Sequence, residues 1–129
     1  LSAALIVVLI LIVFEHTQGQ ALGSSQVKPK DAVFMINREN AVVVDIRDQA
    51  AFDKGHIVNA VHMPKDKQDQ VLKKLGKSKT KPIIIACNTG RTAQAILGMM
   101  KKQGFEKVYC LAGGMQAWRS DDMPTASSN

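Results

Sequence analysis

The sequence contains few cysteines and few aromatic residues, and both shortages exclude classes of protein. Its 129 residues include two cysteines, four Phe, one Trp and one Tyr. Two cysteines are too few for a disulfide framework, so we predict a reducing compartment. The three histidines have neither the mutual spacing nor the neighbouring cysteine pairs that are typical of a metal site. We therefore predict no metal ion and no cofactor.

The chain is basic, but its positive charge is not concentrated in one track. It carries 17 Lys and Arg against 11 Asp and Glu, a net charge of +6 and a pI near 9.5. Nucleic-acid binding needs a basic track and usually aromatic side chains that stack on bases. The sequence has neither feature, so we predict no nucleic-acid partner. A lysine-rich solvated face is favoured, although an anionic membrane surface or a small anionic substrate also fits this charge.

The first fourteen residues, LSAALIVVLILIVF, carry no charge. They are fewer than the roughly 20 residues that a helix needs to cross a bilayer. Because the chain begins with Leu rather than Met, we interpret residues 1–14 as a truncated transmembrane segment. The alternatives are a signal-peptide core and a buried helix. Lys28, Lys30 and Arg38 follow the segment, and by the positive-inside rule they predict a single-pass protein whose domain faces the cytoplasm.

The remaining chain is predicted to form one domain. Residues 15–26 are polar and contain Gly and Ser, so we interpret them as a linker; residues 27–124 form the domain and residues 125–129 a flexible tail. Apolar β-branched runs predict strands at 41–46, 60–63, 82–86 and 107–111. Helical periodicity predicts helices from residue 29, at 48–54, 65–75 and 90–103, and a helical turn that ends at Trp118. This alternation favours an α/β domain with a mainly parallel sheet covered by helices on both faces.

Cys87 is the candidate catalytic residue. It follows a predicted buried strand, and the next helix is expected to open with Asn88, Thr89, Gly90, Arg91 and Thr92. A loop between a strand and a helix turns backbone N–H groups inward, and the positive helix end adds to their field. We expect Gly90 to permit the tight turn, Thr89 and Thr92 to add hydroxyl donors, and Arg91 to add a positive charge. The pattern predicts a stabilised thiolate that acts as a nucleophile.

Three other residues are interpreted as structural. Cys110 lies in an apolar strand without such a loop, and we expect it in the core. Asp45 and Arg47 follow each other closely at the end of a predicted strand, and we expect mainly an internal ion pair that supports the loop, with a direct role in catalysis as the alternative.

Four ordered motifs resemble the rhodanese family. They are Asp45-Ile46-Arg47, Gly55-His56-Ile57 with Met63-Pro64, the loop 87–92, and Gly113-Gly114 with Trp118. The resemblance covers about residues 27–124, and a tethered single copy is similar to the bacterial membrane-anchored members. It implies a rhodanese-like fold with a central sheet of about five strands. Asn88 stands where the family often has Arg, which leaves the preferred sulfur donor open.

The resemblance implies a sulfurtransferase at a bacterial inner membrane. Cys87 would take a sulfane sulfur from a donor such as thiosulfate or a persulfide, hold it as a persulfide, and pass it to a thiol or to cyanide. The loop 88–92 would bind the substrate and the persulfide. The membrane is the expected second partner, together with a possible membrane protein.

Two other functions are alternatives to sulfur transfer. A cysteine phosphatase has Arg six positions after its Cys, and that position here is Ala93. A membrane-tethered interaction or redox-sensing module with little turnover remains an alternative, because the same scaffold can serve binding alone.

Overall fold

The computed structural model describes residues 25–127, with parallel strands and helices in alternation. The strands are β1 (Gln26–Val27), β2 (Val42–Asp45), β3 (His56–Ile57), β4 (Val61–His62), β5 (Ile83–Ala86), β6 (Val108–Leu111) and β7 (Thr125–Ala126). The α-helices are α1 (Pro29–Glu39), α2 (Gln49–Lys54), α3 (Gln68–Leu75), α4 (Ala93–Lys102) and α5 (Gly114–Ser120). Short 3₁₀ helices at Lys65–Lys67 and Gly76–Ser78 flank α3.

The predicted transmembrane segment, residues 1–14, lies outside the described residues, as does the predicted linker up to residue 24. Among the helices between residues 25 and 127, none has the length and apolar character needed to cross a membrane.

Five strands form one sheet in the order β1-β6-β5-β2-β4, and all neighbouring pairs are parallel. The central strand β5 is buried along its whole length. Its run of three isoleucines suits this place, because β-branched side chains pack well on both faces of a pleated sheet. The predicted α/β fold with a mainly parallel sheet of about five strands is confirmed.

Helices cover both faces of the sheet. Successive strand residues point to opposite faces, so Val44 belongs to one core cluster and its neighbour Val43 to the other. Leu72 and Leu75 of α3, together with buried residues of α4, complete the first cluster. On the opposite face, α1 and α5 complete the second cluster, which includes Trp118. The strand β5 lies between the two cores, and the chain continues into Cys87 and the loop after it where β5 ends.

A second sheet was not predicted. Strands β3 and β7 pair antiparallel, with His56 opposite Ala126 and Ile57 opposite Thr125. These two-residue strands are too short to give a periodic signal, so their pairing is decided by tertiary packing. The sequence predicted a flexible tail at Thr125 and Ala126, which form β7 in the structure. It predicted a linker at Gln26, which lies in β1 and pairs with Cys110 of β6.

The helix predicted at 90–103 begins three residues later, at Ala93. Gly90 has φ +95°, which is incompatible with a right-handed helix. The residues between Cys87 and Ala93 therefore form a longer loop than the sequence indicated.

Candidate functional site

The candidate nucleophile lies at the carboxyl edge of the central sheet. Cys87 directly follows β5, whose last residue, Ala86, is paired with Asp45 of β2. This edge is where parallel α/β sheets place their ligands. Cys87 is only 3% exposed and packs within the core cluster that contains Val44 and Ile85. The candidate nucleophile is therefore almost completely buried.

One backbone amide of the loop reaches the sulfur. The Gly90 N–H donates to Cys87 Sγ at an N···S distance of 2.9 Å. The positive φ of Gly90 allows this tight return of the chain, and a Cβ at that position would lie 3.3 Å from the Leu111 carbonyl oxygen. The loop therefore directs one backbone donor at the sulfur of the candidate nucleophile.

The other side chains of the loop point to solvent. Asn88, Thr89, Arg91 and Thr92 are exposed. Within residues 25–127, none of their side chains donates to Cys87 Sγ or forms another hydrogen bond. The hydroxyl groups of Thr89 and Thr92, which were expected to donate to the sulfur, thus form no hydrogen bond with Cys87 Sγ. The loop reaches the sulfur through its backbone and not through these side chains.

A cleft of about 430 Å³ opens beside the loop. Its lining residues are Ser25, Gln26, Thr89, Gly90, Arg91, Gln94 and Gly113. Among these described residues Arg91 is the one charged side chain, and no carboxylate faces the cleft. A permanent cation without a nearby anion favours a negatively charged ligand.

Asp45 and Arg47 form a buried ion pair at the same edge of the sheet. Arg47 Nη2 lies 2.7 Å from Asp45 Oδ2, and Arg47 Nε and its backbone N–H both donate to Oδ1 at 3.0 Å. Arg47 Nη2 also donates to the Gly55 carbonyl oxygen at 2.7 Å. The pair ties the end of β2 to the chain before β3.

Two histidines flank an aromatic ring near this ion pair. The ring of Phe52 stacks between those of His56 and His62, with centroid distances of 3.8 and 4.3 Å. His56 Nδ1 donates to the Phe52 carbonyl oxygen, and His62 Nε2 donates to that of Arg47. Each of these nitrogens carries its proton, because the partner is an acceptor only. The stack was not predicted, since the three rings meet only in the folded domain.

The second cysteine is part of the core. Cys110 is fully buried in β6 opposite Ile85, and both cysteines are free thiols. The pKa of Cys110 is raised from 9.0 to about 11, mainly by burial and secondarily by the nearby Cys87, while Lys101 partly offsets the shift. Cys110 therefore stays protonated at neutral pH and is a poor nucleophile.

Gly113 and Gly114 lead into α5, and the first turn of this helix contacts the backbone of the loop after Cys87. This contact was not predicted from the sequence. Both residues have positive φ, +71° and +61°. At the start of α5 the Met115 N–H donates to the Cys87 carbonyl oxygen at 2.7 Å, and the Gln116 N–H donates to that of Asn88 at 3.1 Å. Adjacent glycines before a helix were the available signal, because they often mark a close approach of two backbone segments.

Comparisons with known proteins agree on one family. A sequence profile described as Rhodanese-like domain matches residues 28–121. An uncharacterized protein of Buchnera aphidicola is 36% identical over 118 residues, which cover 91% of this chain and 80% of that protein. The thiosulfate sulfurtransferase GlpE of Coxiella burnetii is 31% identical over 104 residues, which cover 81% of this chain and 94% of that enzyme.

Solved structures share the fold. The crystal structure of a Bacillus halodurans protein has a TM-score of 0.74 at 27% identity and covers 90% of this chain and 85% of that one. The polysulfide-sulfur transferase homodimer of Wolinella succinogenes has a TM-score of 0.68 at 24% identity, with coverage of 88% and 90%.

Proposed function

Because the chain belongs to the rhodanese-like domain family, we propose that it is a sulfurtransferase that carries a sulfane sulfur as a persulfide on Cys87. The observation that carries this proposal is the hydrogen bond from the Gly90 N–H to Cys87 Sγ. A fixed donor at that place stabilises negative charge on sulfur in the thiolate and, after loading, in the persulfide. A relative named thiosulfate sulfurtransferase supports the same chemistry.

The reaction has two steps. In the first, the Cys87 thiolate attacks the outer sulfur of thiosulfate; a new S–S bond forms, the S–S bond of thiosulfate breaks, and sulfite leaves with the bonding electron pair. In the second, cyanide or a thiolate attacks the terminal sulfur of the persulfide and forms a bond to it. The S–S bond to Cys87 breaks, Cys87 keeps the bonding electron pair as a thiolate, and thiocyanate or a new persulfide is released. Neither step needs a proton from a side chain. Ping-pong kinetics follow from the covalent intermediate.

Arg91 is proposed to attract the donor. It is the one charged residue among the described residues that line the cleft beside the loop, and the leaving group of thiosulfate is an anion. Asn88, Thr89 and Thr92 are exposed and are proposed to complete the substrate-binding surface of the loop. The Asp45–Arg47 ion pair is proposed to support the same edge of the sheet.

The test is a pair of cysteine variants. Cys87→Ser is expected to abolish thiocyanate release from thiosulfate and cyanide, and to prevent the gain of one sulfur atom in the intact mass after donor exposure. Cys110→Ser, which changes the other thiol, keeps both activities if it folds. Thermal unfolding of each variant establishes that the loss is chemical. Turnover by Cys87→Ser would show that the nucleophile is assigned wrongly.

A second function is favoured by the burial of Cys87. Cys87 is only 3% exposed, and such limited access to the thiol suits a redox-sensing or interaction module with little turnover. The same mass measurement separates the two proposals. If the wild-type chain gains no sulfur from thiosulfate, polysulfide or a persulfide, the module replaces the enzyme.

We also propose that residues 1–14 tether the domain to a bacterial inner membrane, with the domain on the cytoplasmic side. The uncharged run of 14 residues and the lysines after it support this topology. In a bacterial host, the full chain is expected in the membrane fraction and to resist extraction by carbonate. Its domain is expected to be protected from protease in spheroplasts and cut in inverted vesicles. Recovery in the soluble fraction, or cleavage in spheroplasts, would contradict the tether or its direction.

A further inference from the structure

Eight lysines lie in two short segments of the chain, one before β5 and one before β6. They are Lys73, Lys74, Lys77, Lys79 and Lys81 in the first segment, and Lys101, Lys102 and Lys107 in the second. Glu106 is the one acidic residue in the ranges 73–81 and 101–107, and Asp69 lies about one helical turn before the first range. The chain has 17 Lys and Arg against 11 Asp and Glu, so the residues outside these ranges, with nine against ten, are nearly neutral. The two segments therefore carry the whole positive excess of the chain.

The fold joins the two segments at the amino edge of the sheet. Because β5 and β6 are parallel neighbours, the segments that lead into them meet at the edge where both strands begin. The Glu106 N–H donates to the Lys79 carbonyl oxygen at 3.2 Å, and the Ile83 N–H donates to that of Lys107 at 2.8 Å. All eight lysines are exposed. They form an amino-edge lysine patch, which lies at the opposite edge from Cys87, the residue that follows the carboxyl end of β5.

Contacts within the domain account for only part of this patch. Four of the lysines lie in the last turns of α3 and α4, where the helix dipole favours a cation. The other four lie beyond those helices, and among them the Lys79 ammonium lies 5.6 Å from the centroid of the Phe105 ring. Between residues 25 and 127, none of the eight forms a salt bridge. Like charges in one patch repel each other, and an anionic surface against them would relieve that repulsion.

We propose that the amino-edge lysine patch docks the domain on the anionic surface of a membrane, so that the Cys87 loop faces away from the bilayer. The docking rests on the proposed tether, which keeps the domain close to lipid. Clusters of about four to eight basic residues beside a membrane segment are typical of proteins that bind anionic lipids. The patch contains no Arg, and lysine suits a diffuse surface charge because it acts as a point charge without the fork geometry of arginine. A nucleic acid is disfavoured, because Phe105 is the one aromatic residue of the two segments and is buried.

The length of the chain before the domain permits this orientation. Ser25, the first described residue, lies near the carboxyl edge, since it lines the cleft that contains Thr89 and Gly90. The ten residues 15–24 span at most about 33–36 Å when extended. A strand of four residues such as β5 is about 13 Å long, so the linker is long enough to reach the amino edge. A tether of this length keeps the local concentration of lipid high, and weak electrostatic contacts then suffice for docking.

The experiment measures the acetylation rate of each lysine in the full chain, with a membrane-impermeant acetylating reagent and peptide mapping by mass spectrometry. The chain is reconstituted with vesicles of phosphatidylcholine alone or of phosphatidylcholine with phosphatidylglycerol. Each lysine near an anionic surface strengthens binding about fivefold, so acetylation of the patch is expected to slow by at least about fivefold on the phosphatidylglycerol vesicles. In about 1 M salt, where the Debye length falls to about 3 Å, the slowing is expected to disappear.

Two lysines at the other edge of the sheet check the orientation in the same measurement. Lys65 and Lys67 follow β4 and are exposed at the carboxyl edge. They are expected to react at the same rate on both kinds of vesicle. Slowing at Lys65 and Lys67 equal to that in the patch, or no slowing in the patch, overturns the proposal.

A matched pair of triple variants separates the patch from net charge. Each removes three exposed lysines, within the patch in Lys74→Gln/Lys77→Gln/Lys81→Gln and outside it in Lys54→Gln/Lys65→Gln/Lys67→Gln. The first variant is expected to lose the slowing at the remaining lysines of the patch, and the second is expected to keep it. Loss of the slowing in both variants would show attraction by net charge alone and contradict the patch.

Flotation with the vesicles tests the tether separately. A chain that floats with phosphatidylcholine alone but shows no slowing in the patch keeps the tether and refutes the docking. A chain that floats only with phosphatidylglycerol and shows the slowing refutes the tether and supports the docking, whereas flotation with neither composition refutes both. If a single-stranded oligonucleotide at the same phosphate concentration protects the patch more strongly than the vesicles do, a nucleic acid replaces the membrane as the partner.

Discussion

Asp45→Asn is expected to destabilise the protein strongly, because it leaves the Arg47 guanidinium buried without a counter-charge. The substitution keeps the size of the side chain. Arg47 contributes four donor contacts to the two carboxylate oxygens at 2.7 to 3.2 Å, and both side chains are 3% exposed or less. Asparagine has one acceptor oxygen and turns an NH₂ group toward a cation.

The cost of breaking such a buried pair by removing one partner is about 3–5 kcal/mol. A domain of this size is typically stable by about 5–15 kcal/mol, so a large share is lost. One kcal/mol corresponds to about 4 °C or more of melting temperature, so a loss at the lower end of that range, about 3 kcal/mol, lowers the melting temperature by about 12 °C. Replacing both partners with apolar residues, as in Asp45→Leu/Arg47→Met, is expected to recover most of the stability because no charge is left buried.

Urea unfolding of the full chain, followed by fluorescence, measures these differences. Trp118 is the one Trp and is 1% exposed, so its emission reports loss of the core. Asp121→Asn makes the same chemical change at an exposed position and is expected to shift stability by at most about 0.5 kcal/mol. A loss below about 1 kcal/mol in Asp45→Asn, or a double variant no more stable than it, would refute the reasoning about the ion pair.

The remaining predictions concern the core and the second thiol. Ile84→Ala, at a fully buried position of β5, is expected to cost about 2–5 kcal/mol in urea unfolding, whereas Phe34→Ala, at a side chain that is 60% exposed, costs about 0.5 kcal/mol or less. Trp118→Phe removes the hydrogen bond to the Pro124 carbonyl oxygen and part of a buried ring, and should cost about 1–3 kcal/mol by the same measurement. Because the pKa of Cys110 is raised from 9.0 to about 11, its contribution to stability is complete below pH 9 and is lost as the pH rises through 11. Unfolding between pH 8 and pH 11 should show this decline in the wild-type chain and a smaller one in Cys110→Ala; equal declines would contradict the assignment.

Most of the fold could be predicted from the sequence because its signals are local. The isoleucine run of β5 and the apolar periodicity of α4 each indicate one element, and alternation of such elements indicates a parallel sheet. The predicted family membership is confirmed, since the motifs that carry it are short and ordered along the chain. The catalytic role of Cys87 stays a prediction, as do the roles assigned to the loop 88–92.

What the sequence could not indicate depends on contacts between distant segments. The β3–β7 pairing joins residues about 70 positions apart, and two-residue strands have no periodicity of their own. The stack of His56, Phe52 and His62 likewise depends on strand pairing. The loop after Cys87 was predicted to be shorter. Gly90 has positive φ and lies close to Leu111 and Gly113, which are distant in the sequence.

The sequence by itself determined the alternation of strands and helices, the place of Cys87 at a strand end, and the glycines that let the backbone turn there. Those features depend on covalent geometry and on the spacing of apolar residues, which are properties of short segments. Only the tertiary structure decided which amide reaches the sulfur and which carbonyl groups α5 holds. Hydrogen bonds need atoms within about 3 Å, and such distances between remote segments exist only after the sheet has assembled.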